Sequence, residues 1–158
     1  RMKNLPNWRA TLAGDGHVEA ARAKTAEYGL ADRVDLPGWV GPDRVAELIA
    51  SADILVLPSF IENLPLSIIE AMASGVAVVA TPVGAVPDIV RDGETGLLVP
   101  VGDVDALEAA LTRLVKDPAL RQRLGAAGLA LHREKLDLAP FADTMQRVWA
   151  EAALRRAR

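Results

Sequence analysis

The chain contains no cysteine, so disulfide bridges and thiolate metal sites are excluded. That suits a reducing cytoplasm, which is the expected location. It has no surplus of positive charge either. The net value of −3 gives no general attraction to nucleic acid or anionic lipid. No apolar run approaches the roughly 18 residues a spanning helix needs, and no signal-peptide pattern is visible. Membrane contact is therefore expected to be peripheral at most, on the inner face. Neither a G-x-S-x-G elbow nor a Walker-type loop occurs. No His, Asp and Glu cluster has metal-ligand spacing, so no metal is expected. Internal repeats and low-complexity linkers are missing too.

What remains is a chain of 158 residues, long enough for one domain with a real core, and 51 % apolar, which argues against disorder. Short apolar runs alternate with helical patterns. Strands are expected at 9–13, 34–36, 53–57, 76–80 and 96–99, with the 53–57 strand buried on both faces. Helices are expected over 17–28, 42–51, 65–74, 118–132 and from 140 to the end, with a short helical turn at 87–90. A further helix should start near Asp105, with Glu108 completing a capping box. Pro42 suits a first helical turn, and Gly75 a helix end. Phe141, Met145, Val148 and Trp149 fall on one stripe of the last helix. Alternation of this kind predicts an α/β fold, a Rossmann-like doubly wound parallel sheet. Ligands of such sheets bind outside the carboxyl ends of the strands. Four loops should converge there: 14–17, 38–41, 58–63 and 81–84.

Two of those loops hold candidate chemistry. Glu62 and Glu70 stand eight positions apart, the first after an apolar strand and the second inside the helix that starts near Pro65. Glu70 can accept hydrogen bonds from both hydroxyls of a ribose, and charge-assisted bonds are the strong kind. Its neighbours Ile68, Ile69, Ala71 and Met72 are apolar, and a charge among them needs a partner. The competing reading is a solvated helix glutamate. Glu62 can accept hydroxyls from a hexose, with backbone N–H groups of Asn63 and Leu64 beside it. Those of Leu66 and Ser67 open the helix and suit a phosphate. Asn63 could instead simply cap that helix. Gly14 and Gly16 allow close ligand approach or make a tight turn. Trp39 and Val40 end a strand at the rim, where their backbone can read a base edge and Trp39 can stack; a core tryptophan is the alternative. His17 reads as a helix start, His132 as structural, and 91–96 as a turn.

With those residues in view, the chain resembles the C-terminal domain of retaining glycosyltransferases of family 4, which have the two-domain GT-B fold. The resemblance rests on LAGDGH (12–17), GLADRVDLPGWV (29–40), ADILVLPSFIENLPLSIIEAMASGVAVVATPVGAVPDIVRDGETGLLVPVGD (52–103) and DPALRQRLGAAG (117–128). The Glu-x7-Glu element followed by Ala-Met-Ala-x-Gly-x-x-Val carries it most specifically. Residues 1–158 are then expected to form a nucleotide-sugar-binding C-terminal domain. The resemblance implies a UDP-, GDP- or ADP-sugar as donor substrate, with no cofactor. By the family's pattern Glu70 holds the ribose and Glu62, the catalytic candidate, holds the donor sugar. Asn63–Ser67 meets sugar and diphosphate, and Trp39–Val40 meets the base.

The departures matter equally. Family members open this domain with a strand and a loop bearing an Arg and a Lys that grip the diphosphate. Here the chain begins at Arg1-Met2-Lys3-Asn4, which matches the tail of the following helix, so strand, both cations and the N-terminal acceptor domain are expected to lie outside it. Asn63 also stands where the family often has Gly. Without the opening strand, the strands at 9–13 and 53–57 each lose a neighbour. Direct pairing of the two, homodimerisation, or a further piece of a longer protein would each close that gap. The acceptor is not specified by any residue pattern. A non-catalytic nucleotide-sugar-binding or interaction module is the alternative function, and a sugar-nucleotide epimerase on the same fold is a third reading whose loop pattern does not match.

Overall fold

Five short strands and seven α-helices alternate along the chain in a computed structural model that describes residues 2–156. A 3-10 turn at Met2–Asn4 leads into β1 (Ala10–Ala13), α1 (Val18–Glu27), β2 (Val34–Gly38) and α2 (Pro42–Ala50). Then come β3 (Ile54–Leu57), α3 (Leu66–Ala73), β4 (Ala77–Ala80), α4 (Val86–Ile89) and β5 (Leu97–Leu98). The rest is helical: α5 (Val104–Lys116), α6 (Pro118–Leu131), a π-helical turn at His132–Leu136, and α7 (Leu138–Arg156). Every strand pair is parallel, as the βα alternation requires.

β4 organises the core. It lies between β3 and β5, in the register Ile54↔Ala77 to Leu57↔Ala80 on one side and Val79↔Leu97 on the other. All four of its residues are buried, so its alternate side chains must enter two different apolar layers. Val78 and Ala80 join Ile49 of α2, Ile68, Ala71 and Met72 of α3, and Val86 and Ile89 of α4. Ala77 and Val79 join Leu97, Leu114 of α5, and Leu120 and Leu124 of α6. Helix α6 serves both layers, since Leu131 at its far end packs with the first group. It crosses the start of β4 by backbone contact. A Cβ on Gly125 would run into the carbonyl oxygen of Gly75 and lie 2.9 Å from its carbonyl carbon.

Several expectations change. The strands do not form one continuous ladder: β1 pairs only with β2, and β3 only with β4, giving a two-stranded and a three-stranded sheet. Direct pairing of β1 with β3 is therefore not how the gap closes. β3 is not buried on both faces. As the outer strand of its sheet it is half-buried, and Val56 is 37 % exposed. The last strand shrinks to Leu97–Leu98. The cap of α5 is Asp103, whose carboxylate accepts from the Ala106 N–H at 2.8 Å, so the helix begins two residues earlier than a capping box at Asp105 allows. On α7, Phe141, Val148 and Trp149 remain more than half exposed, while Met145 is half-buried, so most of the stripe faces solvent.

Because the obstacle at Gly125 is backbone, Gly125→Ala should destabilise the fold by about 3 kcal/mol through overpacking. Urea unfolding followed by circular dichroism measures it, and a loss under about 1 kcal/mol would contradict the packing described.

Candidate functional site

The loop between β3 and α3 is fastened from beside and below. Register sets this up: Leu57 pairs with Ala80, so the next residue of the neighbouring strand, Thr81, stands beside Pro58 and Ser59. The Thr81 N–H donates to the Leu57 carbonyl at 3.3 Å, and its hydroxyl, fully buried, donates to the Ser59 carbonyl at 2.5 Å. The Ser59 hydroxyl then donates to Oε1 of Glu62 at 2.7 Å. Further along, the Ala85 N–H donates to the Asn63 carbonyl at 2.8 Å. Gly84 makes the close approach between the two loops. Its φ is +56°, and a Cβ there would strike the Glu62 carbonyl oxygen and lie 2.6 Å from that of Asn63.

Glu62 is half-buried in this loop. One carboxylate oxygen accepts from Ser59; the other has no protein partner among the described residues, and Glu62 forms no ion pair there. Pro65 is the N-cap of α3 and no side chain caps that helix, so Asn63 is not its cap. Asn63 and Leu64 are exposed, as is Leu66, while Ser67 is half-buried. Glu70 lies one turn further on, about 6 Å along the helix from Leu66. Its surroundings differ from expectation. Ile68, Ala71 and Met72 face the core, whereas Glu70 falls on the exposed side of the helix and makes no hydrogen bond or ion pair among the described residues. The charge is thus solvated in this structure, and apolar neighbours do not oblige it to find a partner.

The other candidates stand on the two-stranded sheet. Gly14 follows β1 and its N–H donates to the Gly38 carbonyl at 2.8 Å, which ties the ends of β1 and β2 together. Gly14 and Gly16 both have positive φ, and added Cβ atoms would meet nothing within 4 Å, so the demand for glycine there is conformational. Trp39 is 73 % exposed, which removes the core reading, and Val40 is half-buried. No strand pairing joins this group to the Glu62 loop. Two open concavities of about 500 and 390 Å³ share Arg9, Asp32 and Arg33 at the amino ends of β1 and β2; Trp8 lines the larger, and the smaller reaches along Thr11 and Asp35. That is the wrong rim for a ligand of a parallel sheet.

A sequence profile of the family described as "Glycosyl transferases group 1" matches residues 1–130. The chain belongs to that family. Among curated relatives, the MMP alpha-(1->4)-mannosyltransferase of Mycolicibacterium hassiacum is 42 % identical over 104 residues, covering 65 % of this chain and 25 % of that protein. Among solved structures, sucrose-phosphate synthase from Thermosynechococcus elongatus superposes with a TM-score of 0.83 at 31 % identity, over 96 % of this chain and 40 % of that one. Anabaena HepE, solved in complex with UDP, gives 0.84 at 22 % identity, over 92 % and 42 %, a likeness of fold alone. The family member described here thus spans about a quarter to two-fifths of the three proteins just named and has the C-terminal half of the GT-B fold.

Reading the sequence assigned no role to Ser59, Thr81 or Gly84. The Ser59-x-x-Glu62 spacing was an available signal, since it is the spacing of a capping box. Here it closes side chain to side chain in a loop. Gly84→Ala should cost about 1–3 kcal/mol and shift backbone amide resonances of 59–64 and 81–86, leaving those of β4 in place. Unchanged loop resonances in a 1H–15N spectrum would contradict the contact.

Proposed function

We propose that this domain binds the donor of a retaining glycosyltransferase, a hexose linked to a nucleoside diphosphate. One observation carries the reading: on the carboxyl rim of β3, a held carboxylate with a free oxygen, Glu62, directly precedes a helix whose first turn no side chain caps. A carboxylate accepts from sugar hydroxyls, and an uncapped helix start donates to phosphate. Glu70, exposed and unpaired on the same helix, takes the two ribose hydroxyls. Trp39 and Val40 serve the base, and Gly14 and Gly16 leave room for the diphosphate. The UDP complex of the HepE structure supports a nucleotide in the donor, and the mannosyltransferase among the similar proteins supports a transferred sugar. The described residues bring no metal-ligand cluster to the rim, and the reading needs no metal. No helix among them is long and apolar enough to cross a membrane.

Transfer needs more than this domain. By the family resemblance, an Arg and a Lys neutralise the departing diphosphate, and a second domain holds the acceptor. The second reading, a module that binds without catalysing, is favoured by the exposed stripe on α7 and the unpaired outer edge of β3. Both readings place the donor at the same rim.

Titration calorimetry with UDP, GDP and ADP tests the site. At least one should bind, and Glu70→Ala should weaken it about 10- to 100-fold, the worth of a charged hydrogen-bonding group. Equal binding by both proteins removes Glu70 from the site.

A further inference from the structure

Two hydrogen bonds in series, Thr81 to Ser59 and Ser59 to Glu62, join the buried core to the carboxylate at the rim. Thr81 is 1 % exposed and sits one residue past β4, the most completely buried strand. Its hydroxyl spends its proton on the Ser59 carbonyl at 2.5 Å, which fixes the Ser59 backbone. The Ser59 hydroxyl spends its own on Glu62 Oε1 at 2.7 Å. Neither hydroxyl is needed to close the sheet, whose ladder bonds are all main-chain. Gly84 blocks retreat of the loop, because its backbone is in contact with the Glu62 carbonyl.

We propose that Ser59 and Thr81 are positioning residues: they hold the Glu62 carboxylate by one oxygen so that the other oxygen is presented to a hydroxyl of the bound sugar. The inference rests on the donor-site reading given above. It makes a specific chemical claim about selectivity. A glutamate free to rotate can meet many hydroxyl arrangements, whereas one tethered at Oε1 offers a single acceptor direction. Loss of the tether should therefore weaken recognition of the sugar and leave recognition of the nucleotide alone. Removal of bulk at the loop would act differently, loosening both. Atoms that donate, such as sugar hydroxyls, match this position; phosphate oxygens, which only accept, do not.

The test compares two affinities in each protein by calorimetry: that for a nucleoside diphosphate and that for its sugar conjugate, using UDP with UDP-glucose, GDP with GDP-mannose and ADP with ADP-glucose. In the unaltered chain one pair should show tighter binding of the conjugate. Ser59→Ala should cut that preference about tenfold, the worth of one hydrogen bond to a charged group, without changing the affinity for the diphosphate. Thr81→Val, which keeps shape and removes the hydroxyl, should act in the same direction. Ser59→Thr, which keeps the hydroxyl, should restore the preference. If Glu62→Gln abolishes the preference but Ser59→Ala retains it, the tether is overturned while the donor-site reading stands. If Ser59→Ala weakens diphosphate and conjugate equally, the residue is merely structural and the proposal is again overturned. If the unaltered chain shows no preference, or Glu62→Gln leaves it intact, the role of Glu62 falls and the tether falls with it.

Discussion

Burial of β4 on both faces is the constraint from which the rest follows. Four small or β-branched residues, Ala77 to Ala80, separate two apolar layers and fit nowhere else. Their register with β3 decides what stands beside the Glu62 loop. Because side chains alternate with period two, a slip by one residue would turn Val78 and Val79 to the wrong layers and carry Thr81 away from Ser59. The hydrophobic sorting that stabilises the sheet is thus the same event that places a hydroxyl beneath a carboxylate. Stability and site geometry are not separate achievements in this domain.

Much of the architecture was legible in the residues. Val76 to Ala80 reads as a doubly covered strand because nothing polar interrupts it, and Val45, Leu48 and Ile49 announce the inner side of α2 by their spacing. Pattern of this kind reports which side of an element is apolar, and it does so reliably for short alternating units. It does not report which neighbours a strand has. The Ile54–Leu57 run is as apolar as β4, yet it has a ladder on one side only and stays half-buried. Nor does composition near a charge tell its direction. Glu70 lies between Ile68 and Met72 in sequence, but 3.6 residues per turn carries those two to the core and leaves the glutamate outside. The apolar stripe of α7, equally regular in sequence, leaves Phe141 and Trp149 largely exposed.

The candidate site was legible as an address and less so as a mechanism. Glu62, Asn63, Leu64, Leu66 and Ser67 do share one loop and one helix start. Trp39, Val40, Gly14 and Gly16 occupy strand ends of the companion sheet. What spacing could not supply was the internal bracing. Hydrogen bonds from Thr81 to Ser59 and from Ala85 to Asn63 link segments about twenty residues apart, and only the sheet register brings them together. Family membership says that such domains occur in glycosyltransferases; the bracing says how this loop keeps its shape without a ligand.

At its tightest point, the loop is held by main chain against main chain. Gly84 abuts the carbonyls of Glu62 and Asn63, and Ala85 reaches Asn63 through its own N–H, with no side chain of residues 60, 61, 63 or 64 taking part. Phe60, Ile61, Asn63 and Leu64 consequently point outward as exchangeable fittings on a fixed bracket. Evolution or an engineer can swap them to recognise a different guest while the acid between them keeps its place.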